Sequence, residues 1–343
     1  MHPMGDTPSP LRLQRAGIAA ARPAIALVVD GQSVPALEGE SLAAALTASG
    51  SQAWRCMSTG TRAATTHATP TTPRGLYCGM GVCFECRVTV DGRPGQRACM
   101  TTVRAGMQVQ TCDPDPSMRA SEAPAPQFRT EACDVLVIGA GPAGLAAAEA
   151  VAQCGASAGL KVVILDERAS PGGQYFKPLA SSHRFEGVPS PDAQFAEGTQ
   201  RVERVRALGV QVVSGAQAWD AQALADGGVE VRALDAGGAA TWRAKKLVIA
   251  AGAHEVAWPV PGWTLPGVMT TGAAQTLSRA YRVGPGRRVL FAGNGPLNLQ
   301  VAADLARDGL DVVAVAEAAG SPFKACVFSL LALWRTRPDL AWR

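Results

Sequence analysis

The chain has 343 residues, 47% of them hydrophobic and 17% charged, with 32 basic against 28 acidic side chains and a formal net charge of +4. That length allows two domains, and that balance suits packed cores rather than disorder. The basic residues lie scattered without interleaved aromatics, which predicts no nucleic-acid partner, and the charge-free apolar run 325–334 falls short of the roughly 20 residues that cross a bilayer.

In chain order, Ala19 to Val29 is apolar but broken by Arg22 and Pro23, and it runs into the turn Asp30-Gly31. That is strand-and-hairpin chemistry rather than a signal peptide, so residues 24–36 are predicted as a hairpin in a soluble, cytoplasmic protein. Ser41 is placed to cap a short apolar helix that stops near Gly50. Residues 51–75 are rich in Thr, Ser and Pro and predict a loop. The stretch CGMGVCFEC follows from Cys78 to Cys86, and then a second hairpin turning at Asp91-Gly92. Pro114, Pro116, Pro124 and Pro126 mark a linker, since prolines at that density resist helix and central strand.

From Cys133 the texture becomes alternating strand and helix, as in DVLVIGAGPAGLAAAEAVAQC and, later, RVLFAGNGPLNLQVAADLARDGLDVVAVAE. This pattern predicts a doubly wound parallel sheet, with a second nucleotide-type half beginning near 286. The expected fold is an α+β ferredoxin-like 2Fe–2S domain of β-grasp type over 20–112, a linker over 113–132, and an α/β Rossmann-type FAD/NAD(P)-binding domain over 133–343. Only about 26 residues follow Glu317, so that last domain is expected to be incomplete at its C-terminal side.

Cys78, Cys83 and Cys86 form C-x4-C-x2-C, and twelve residues separate Cys86 from Cys99. Four thiolates from a loop and a neighbouring hairpin suit a 2Fe–2S cluster, and this is the plant-type spacing. Gly79 and Gly81 let the backbone turn tightly and aim its N–H groups at sulfur. Zinc and plain buried thiols remain the alternatives, although structural zinc favours two short Cys/His pairs and only one such pair is present. Cys56, Cys112, Cys133, Cys154 and Cys326 stand apart and read as small buried hydrophobes, with no C-x-x-C outside the cluster. Nine cysteines, an odd number, fit reduced thiols and a metal site better than a secreted disulfide framework.

Gly139, Gly141 and Gly144 make G-x-G-x-x-G after a strand and at the start of a helix, with Pro142 and Ala143 in its first turn. Phosphates would sit at that helix N-terminus. Asp166 and Glu167, 22 and 23 residues beyond Gly144, hold the position of the ribose-binding acid. Gly172, Gly173 and Gln174, with Ala251 and Gly252 at a later strand end, favour FAD over NAD at this site. Gly293 and Gly295 open a second loop with Glu317 at its acid position. Its third glycine is replaced by Asn298, whose side chain is expected to hold helix and strand further apart, leaving NAD(P) an open possibility. The four histidines, His2, His67, His183 and His254, lack a paired carboxylate and read as surface or loop residues; no catalytic acid–base group is predicted.

On the motifs PRGLYCGMGVCFECRVTVDG, VIGAGPAGLAAA, DERASPGGQ, PVPGWTLPGVMTTGAAQTL and GNGPLNLQVAADL, the chain resembles the iron–sulfur-and-FAD electron-transfer subunit of multi-subunit amine and amino-acid dehydrogenases. That family includes the alpha subunit of heterotetrameric sarcosine oxidase and the corresponding subunits of opine oxidase, D-hydroxyproline dehydrogenase and hydrogen cyanide synthase. The resemblance implies a hetero-oligomer in which a substrate-oxidising flavoprotein subunit oxidises the amine and this chain relays the electrons. Two further readings stay open: a self-contained NAD(P)H-dependent flavin reductase, and a truncated remnant or assembly partner without catalysis.

Overall fold

The structure, a computed structural model, describes residues 11–58, 71–112, 128–155, 159–186, 193–257 and 259–318. Cys326, the apolar run 325–334, His2 and His67 lie outside the described residues, as do residues 113–127 of the expected linker 113–132, whereas its residues 129–132 belong to a strand that pairs in the second unit's sheet.

The first unit begins with β1 (Ile18–Ala20), followed by the hairpin β2 (Ala24–Val29) and β3 (Gln32–Leu37). Asp30 and Gly31 turn it with φ of 49° and 80°, the left-handed pair that a two-residue hairpin with correct strand twist requires. Helix α1 (Leu42–Ala48) is buried along its whole length, and the Ser41 hydroxyl accepts from Ala44 N at 3.2 Å, satisfying one orphan donor of its first turn. Next come β4 (Arg55–Ser58), β5 (Thr71–Arg74), β6 (Arg87–Val90), β7 (Arg93–Arg97) and β8 (Gln108–Gln110). The sheet order is β3-β2-β8-β6-β7, with β8 parallel to β2 and every other pair antiparallel. A helix on a mixed sheet whose first and last strands lie side by side is the expected β-grasp. Its core gathers Leu27, Leu42, Leu46, Trp54, Val88 and Val109. Burial of each of its large apolar side chains contributes about 1.5–3 kcal/mol.

The stretch expected to be a loop over 51–75 holds β4 and β5, which pair antiparallel from Arg55 with Arg74 to Ser58 with Thr71. Thr reads as a loop residue by polarity, but its β-branch fits a pleated edge.

The second unit carries β9 (Arg129–Ile138), α2 (Pro142–Cys154), β10 (Val162–Asp166), α3 (Gly173–Phe176), β11 (His183–Phe185), α4 (Ala193–Ala207) and β12 (Gln211–Ser214). It continues through β13 (Gln217–Ala223), β14 (Val229–Asp235), β15 (Gly238–Ile249) and α5 (Thr271–Tyr281), then β16 (Arg288–Gly293), α6 (Pro296–Arg307) and β17 (Asp311–Glu317). Six strands align as β12-β10-β9-β15-β14-β13. The first four are parallel, and β14 and β13 form an antiparallel meander on one edge. All five residues of β10 are buried, as a parallel strand covered on both faces must be.

Helix α6 packs on the parallel pair β16–β17, where Phe291, Val301 and Leu305 form a separate core. Helix α5 belongs to two cores at once. Its Leu277 packs into the core of the first unit and its Ala274 into that of β16 and α6. β1 adds a second tie by pairing with β11.

Candidate functional site

The loop between β5 and β6 carries three cysteines, and the turn after β7 brings Cys99 back to them. Cys78, Cys86 and Cys99 are buried, while Cys83 is half-exposed. The sulfurs come as two pairs: Cys83 donates to Cys78, and Cys99 donates to Cys86. The Cys78 thiol is drawn down to about 5, first by the Cys83 S–H it accepts and also by the amides of Met80, Cys83 and Val82, against the opposing effect of burial. Cys86 is lowered for the same first reason, and Cys83 and Cys99, as the donors, are raised. Backbone N–H groups reach the sulfurs, Met80 N to Cys78 Sγ at 3.4 Å and Glu85 N to Cys83 Sγ at 3.5 Å.

This donor set fits a binuclear cluster. A 2Fe–2S centre takes two thiolates on each iron, so it asks for two neighbouring pairs, whereas zinc asks for four ligands around one point. Among the described residues no three Cys, His, Asp or Glu side chains converge on a single ion site. Arg97 stiffens the loop, donating to Gly81 O at 2.7 Å and lying over the Phe84 ring at 5.2 Å. Gly79, at φ +64°, admits no side chain, because a Cβ there would stand 2.9 Å from Ala273 Cα of α5.

In the second unit the first glycine turn is built as predicted. Gly139 N donates to Leu165 O at 2.8 Å, and Gly141 caps α2 with Pro142 in its first turn. A Cβ on Gly144 would fall 1.8 Å from Gly139 O, so helix and strand meet there with no room for a side chain. Ala143 and Gly144 lie in the first turn of α2, whose amides lack intrahelical acceptors and suit phosphate oxygens. Gly173 lies against Gly141, with a would-be Cβ at 2.7 Å from its Cα, and Gly172 N donates to Ala140 O at 2.8 Å. Ala251 closes on the other side, its Cα 3.5 Å from the Cβ position of Gly139, with Gly252 next to it at φ +76°. The first loop, the Gly172–Gln174 turn and the end of β15 therefore meet in one place.

The two candidate acids separate. Asp166 is buried, its carboxylate taken by the amides of Ala140 and Arg168, while Glu167 is exposed at the strand end. Beyond Gln174 lies a residue the sequence did not flag. Lys177, 5% exposed and at φ 39°, donates from Nζ to Gln174 Oε1 at 2.7 Å, Gly272 O at 3.0 Å and Thr276 Oγ1 at 2.7 Å. Burial brings its ammonium down to about 7, with Arg168 and Arg279 adding repulsion and Glu255 opposing them.

The second glycine loop places Gly293 and Gly295 at φ 150° and 110°, and Gly293 pairs with Glu317 across β16 and β17. Asn298 does more than space the helix from the strand. It is buried, and its Oδ1 accepts from Thr271 Oγ1 of α5. The first turn of α5 is thus a junction. Thr270 N donates to Tyr77 O at 2.9 Å beside Cys78, Thr271 holds Asn298, Gly272 N donates to Glu255 Oε2 at 2.6 Å, and Gly272 O receives Lys177.

Other expectations change. Cys56 and Cys112 form a disulfide with Cα atoms 4.6 Å apart; Cys112 N donates to Trp54 O at 2.8 Å, which lays the chain after β8 beside the residue preceding β4, a proximity that linear spacing does not reveal. Cys133 is buried, as expected, whereas Cys154, at the end of α2, is exposed. His183 is a strand residue rather than a surface one; burial first, then Arg12 and Arg282, push its imidazole down to about 4.

A β-grasp unit carrying two thiol pairs, joined through one helix to two glycine-turn nucleotide units, defines an iron–sulfur flavin-type oxidoreductase. Residues 22–114 match the 2Fe-2S iron-sulfur cluster binding domain, and residues 133–326 match the pyridine nucleotide-disulphide oxidoreductase family, to which the chain belongs. The chain is 36% identical over 204 residues to an opine oxidase subunit of Agrobacterium tumefaciens (strain Ach5), covering 57% of this chain and 38% of the relative. It is 29% identical over 321 residues to the alpha subunit of sarcosine oxidase from Corynebacterium sp. (strain P-1), covering 86% of this chain and 30% of the relative. It thus spans well under half the length of either. The L-proline dehydrogenase of P. horikoshii shares the fold at a TM-score of 0.67 and 21% identity, over 90% of this chain and 56% of that one. The domains imply a 2Fe–2S cluster and FAD as cofactors, with NAD(P) possible. Among the described residues no helix is long and apolar enough to cross a membrane.

Proposed function

We propose that this chain is the electron-transfer part of a multi-subunit dehydrogenase or oxidase of secondary amines or amino acids, such as sarcosine, proline, hydroxyproline or opines. Cys78 and Cys83 hold one iron and Cys86 and Cys99 the other. FAD lies with its phosphates at Gly139, Gly141 and the first turn of α2, its ribose at Glu167, and Gly172–Gln174, Ala251 and Gly252 lining the continuation. Bound together, FAD supplies two-electron exchange and the cluster one-electron exchange, which lets hydride-type chemistry feed a one-electron current. The protein binds and orients both; no acid–base side chain is required at the thiol loop.

The observation that carries this reading is the pair of thiol pairs packed through Gly79 onto α5, whose first turn also holds the flavin-side Lys177. Relatives named as subunits of opine and sarcosine oxidases support a hetero-oligomer, and the partner in this reading is a substrate-oxidising flavoprotein. Division of labour follows the units, with the cluster over 20–112 and the nucleotides over 133–343. Gly293, Gly295 and Glu317 offer a second nucleotide site for NAD(P). The four free thiols favour a cytoplasmic setting, and the Cys56–Cys112 disulfide weighs against it.

Anaerobic purification followed by iron and flavin analysis, an absorbance spectrum and EPR after dithionite tests the reading. About two irons per chain with a rhombic reduced signal, together with bound FAD, is the expected result. Zinc in place of iron, or a chain that holds no flavin, overturns it. NADH oxidation without a partner would replace it with the self-contained reductase.

A further inference from the structure

Lys177 is a buried cation that the proposed chemistry does not use. It sits at the end of α3 with its backbone in the left-handed region, a conformation that is strained for a non-glycine residue and persists where surroundings enforce it. Its three ammonium protons are all engaged, by Gln174, Gly272 and Thr276. Thr276 in turn donates to Gly272 O at 2.8 Å, so the lysine closes a ring of bonds with the first turn of α5.

The bond to Gln174 differs from the other two. Gln174 is half-exposed, in the turn that lies against Gly141, and it offers Lys177 its carbonyl oxygen. With its third proton in place the ammonium has no lone pair, so in that form this bond fixes which end of the amide is which. The oxygen is held inward and the two N–H donors of Nε2 are left facing away, with no partner among the described residues. A buried cation thus sets the orientation of a donor beside the proposed flavin site, and anchors it to the same turn of α5 that holds Tyr77 and the thiol loop.

We infer that Lys177 is a positioning residue that locks the Gln174 amide so that its N–H groups are presented to the flavin. This rests on the proposed FAD site at the first glycine turn. Lys177 acts on the cofactor only through Gln174, which distinguishes it from a lysine that merely stabilises the fold.

The test is an FAD titration of the flavin-stripped full chain, with iron content and the flavin absorption spectrum recorded in parallel. Wild type is compared with Gln174→Ala, Lys177→Met and the double variant. Each single variant is expected to weaken FAD about tenfold and to shift the flavin bands, and the double variant to be no weaker than either single one. Additive losses, near a hundredfold in the double variant, overturn the inference, as does a Lys177→Met protein with wild-type affinity and spectrum. Gln174→Asn asks the same question from the exposed side, should Lys177→Met fail to fold: one methylene shorter, it keeps the amide but cannot reach Nζ. It is expected to bind as weakly as Gln174→Ala, and wild-type affinity there overturns the inference. A wild-type chain that takes up no FAD removes the proposed flavin site and this inference with it; the wild-type titration tells that failure from the others.

Discussion

Thr271 donates its hydroxyl to Asn298 Oδ1 at 2.5 Å, so the residue standing where a third glycine would be is a bolt between α5 and α6. Asn298 is buried, and its Nδ2 lies 3.1 Å from the Cβ position of Gly293. Removing it leaves the Thr271 hydroxyl unpaired in a packed place. Asn298→Ala is expected to destabilise the chain by about 1–2 kcal/mol, and Thr271→Val by a similar amount. The two changes share one bond, so the double variant, followed by denaturant unfolding, should lose clearly less than the sum. Full additivity would remove the bolt.

The two acids after β10 should part company in experiment. Asp166 holds the amides of Ala140 and Arg168 and thereby shapes the glycine turn, whereas Glu167 is exposed with no such duty. Glu167→Gln is expected to weaken FAD about tenfold at unchanged melting temperature, since a charged acceptor for ribose is lost. Asp166→Asn should instead lower stability by about 1–3 kcal/mol, because an amide cannot accept at both of its ends. Paired melts and FAD titrations decide, and the opposite assignment would follow if Asp166→Asn kept its stability and lost only flavin.

Much of this was legible in the sequence because local geometry dictates it. Glycine turns flanked by strand and helix, Asp30-Gly31 and the Ser41 cap are short-range devices whose residue types follow from backbone conformation. The acid was narrowed to Asp166 or Glu167 and no further, since strand alternation does not say which of two neighbours faces the turn. Lys177, the Cys56–Cys112 pair and the role of Asn298 were not legible. Each depends on a partner dozens of residues away in sequence: Thr276 for Lys177, Cys112 for Cys56, and Thr271 for Asn298.

Gly79 links the thiol loop to α5 by contact rather than by a bond. A methyl group there would meet Ala273 Cα at 2.9 Å, and the backbone on both sides leaves little room to give way. Gly106 shares a positive φ, 72°, but has open space around it. Gly106→Ala should therefore cost only the conformational penalty, about 1 kcal/mol, with iron content unchanged. Gly79→Ala should cost more and lower the iron retained per chain after gel filtration. Equal behaviour of the two variants would mean that the packing against α5 does not position the thiols.

The disulfide predicts a sharp contrast among the cysteines. Cys56 and Cys112 close a loop with a sequence separation of 56, worth up to about 4 kcal/mol in the chain-entropy account. Replacing both by Ala should lower the melting temperature yet leave about two irons per chain, because neither belongs to the thiol pairs. Cys86→Ser or Cys99→Ser should lose iron. Peptide mapping without reductant checks the bond itself, and iron loss in the double Ala variant would contradict this division.

The pH dependence of stability should carry the mark of His183. Its ring lies in β11 beside Ser182, whose Oγ is 3.0 Å from Nδ1, and it is half-buried between elements that bear Arg12 and Arg282. Burial and those cations hold it neutral down to about 4 in the folded chain, against 6.5 ordinarily. The unfolded chain therefore takes up this proton first as the pH falls. Above 6.5 neither state binds it, and the group adds no slope. Between 6.5 and about 4 the unfolded state binds more protons, so the free energy of unfolding drops steadily with acidification. Below that window both states are charged and the slope vanishes again. Carboxylates titrate near the lower end, so the informative quantity is the difference between wild type and His183→Gln, in which their contributions cancel. That difference should stay constant from pH 8 to 7 and move to the wild type's disadvantage as the pH falls towards 4.5, read from urea midpoints at each pH. Parallel curves would mean that His183 takes its proton at the same pH in both states, and that neither burial nor the cations of Arg12 and Arg282 hold it neutral.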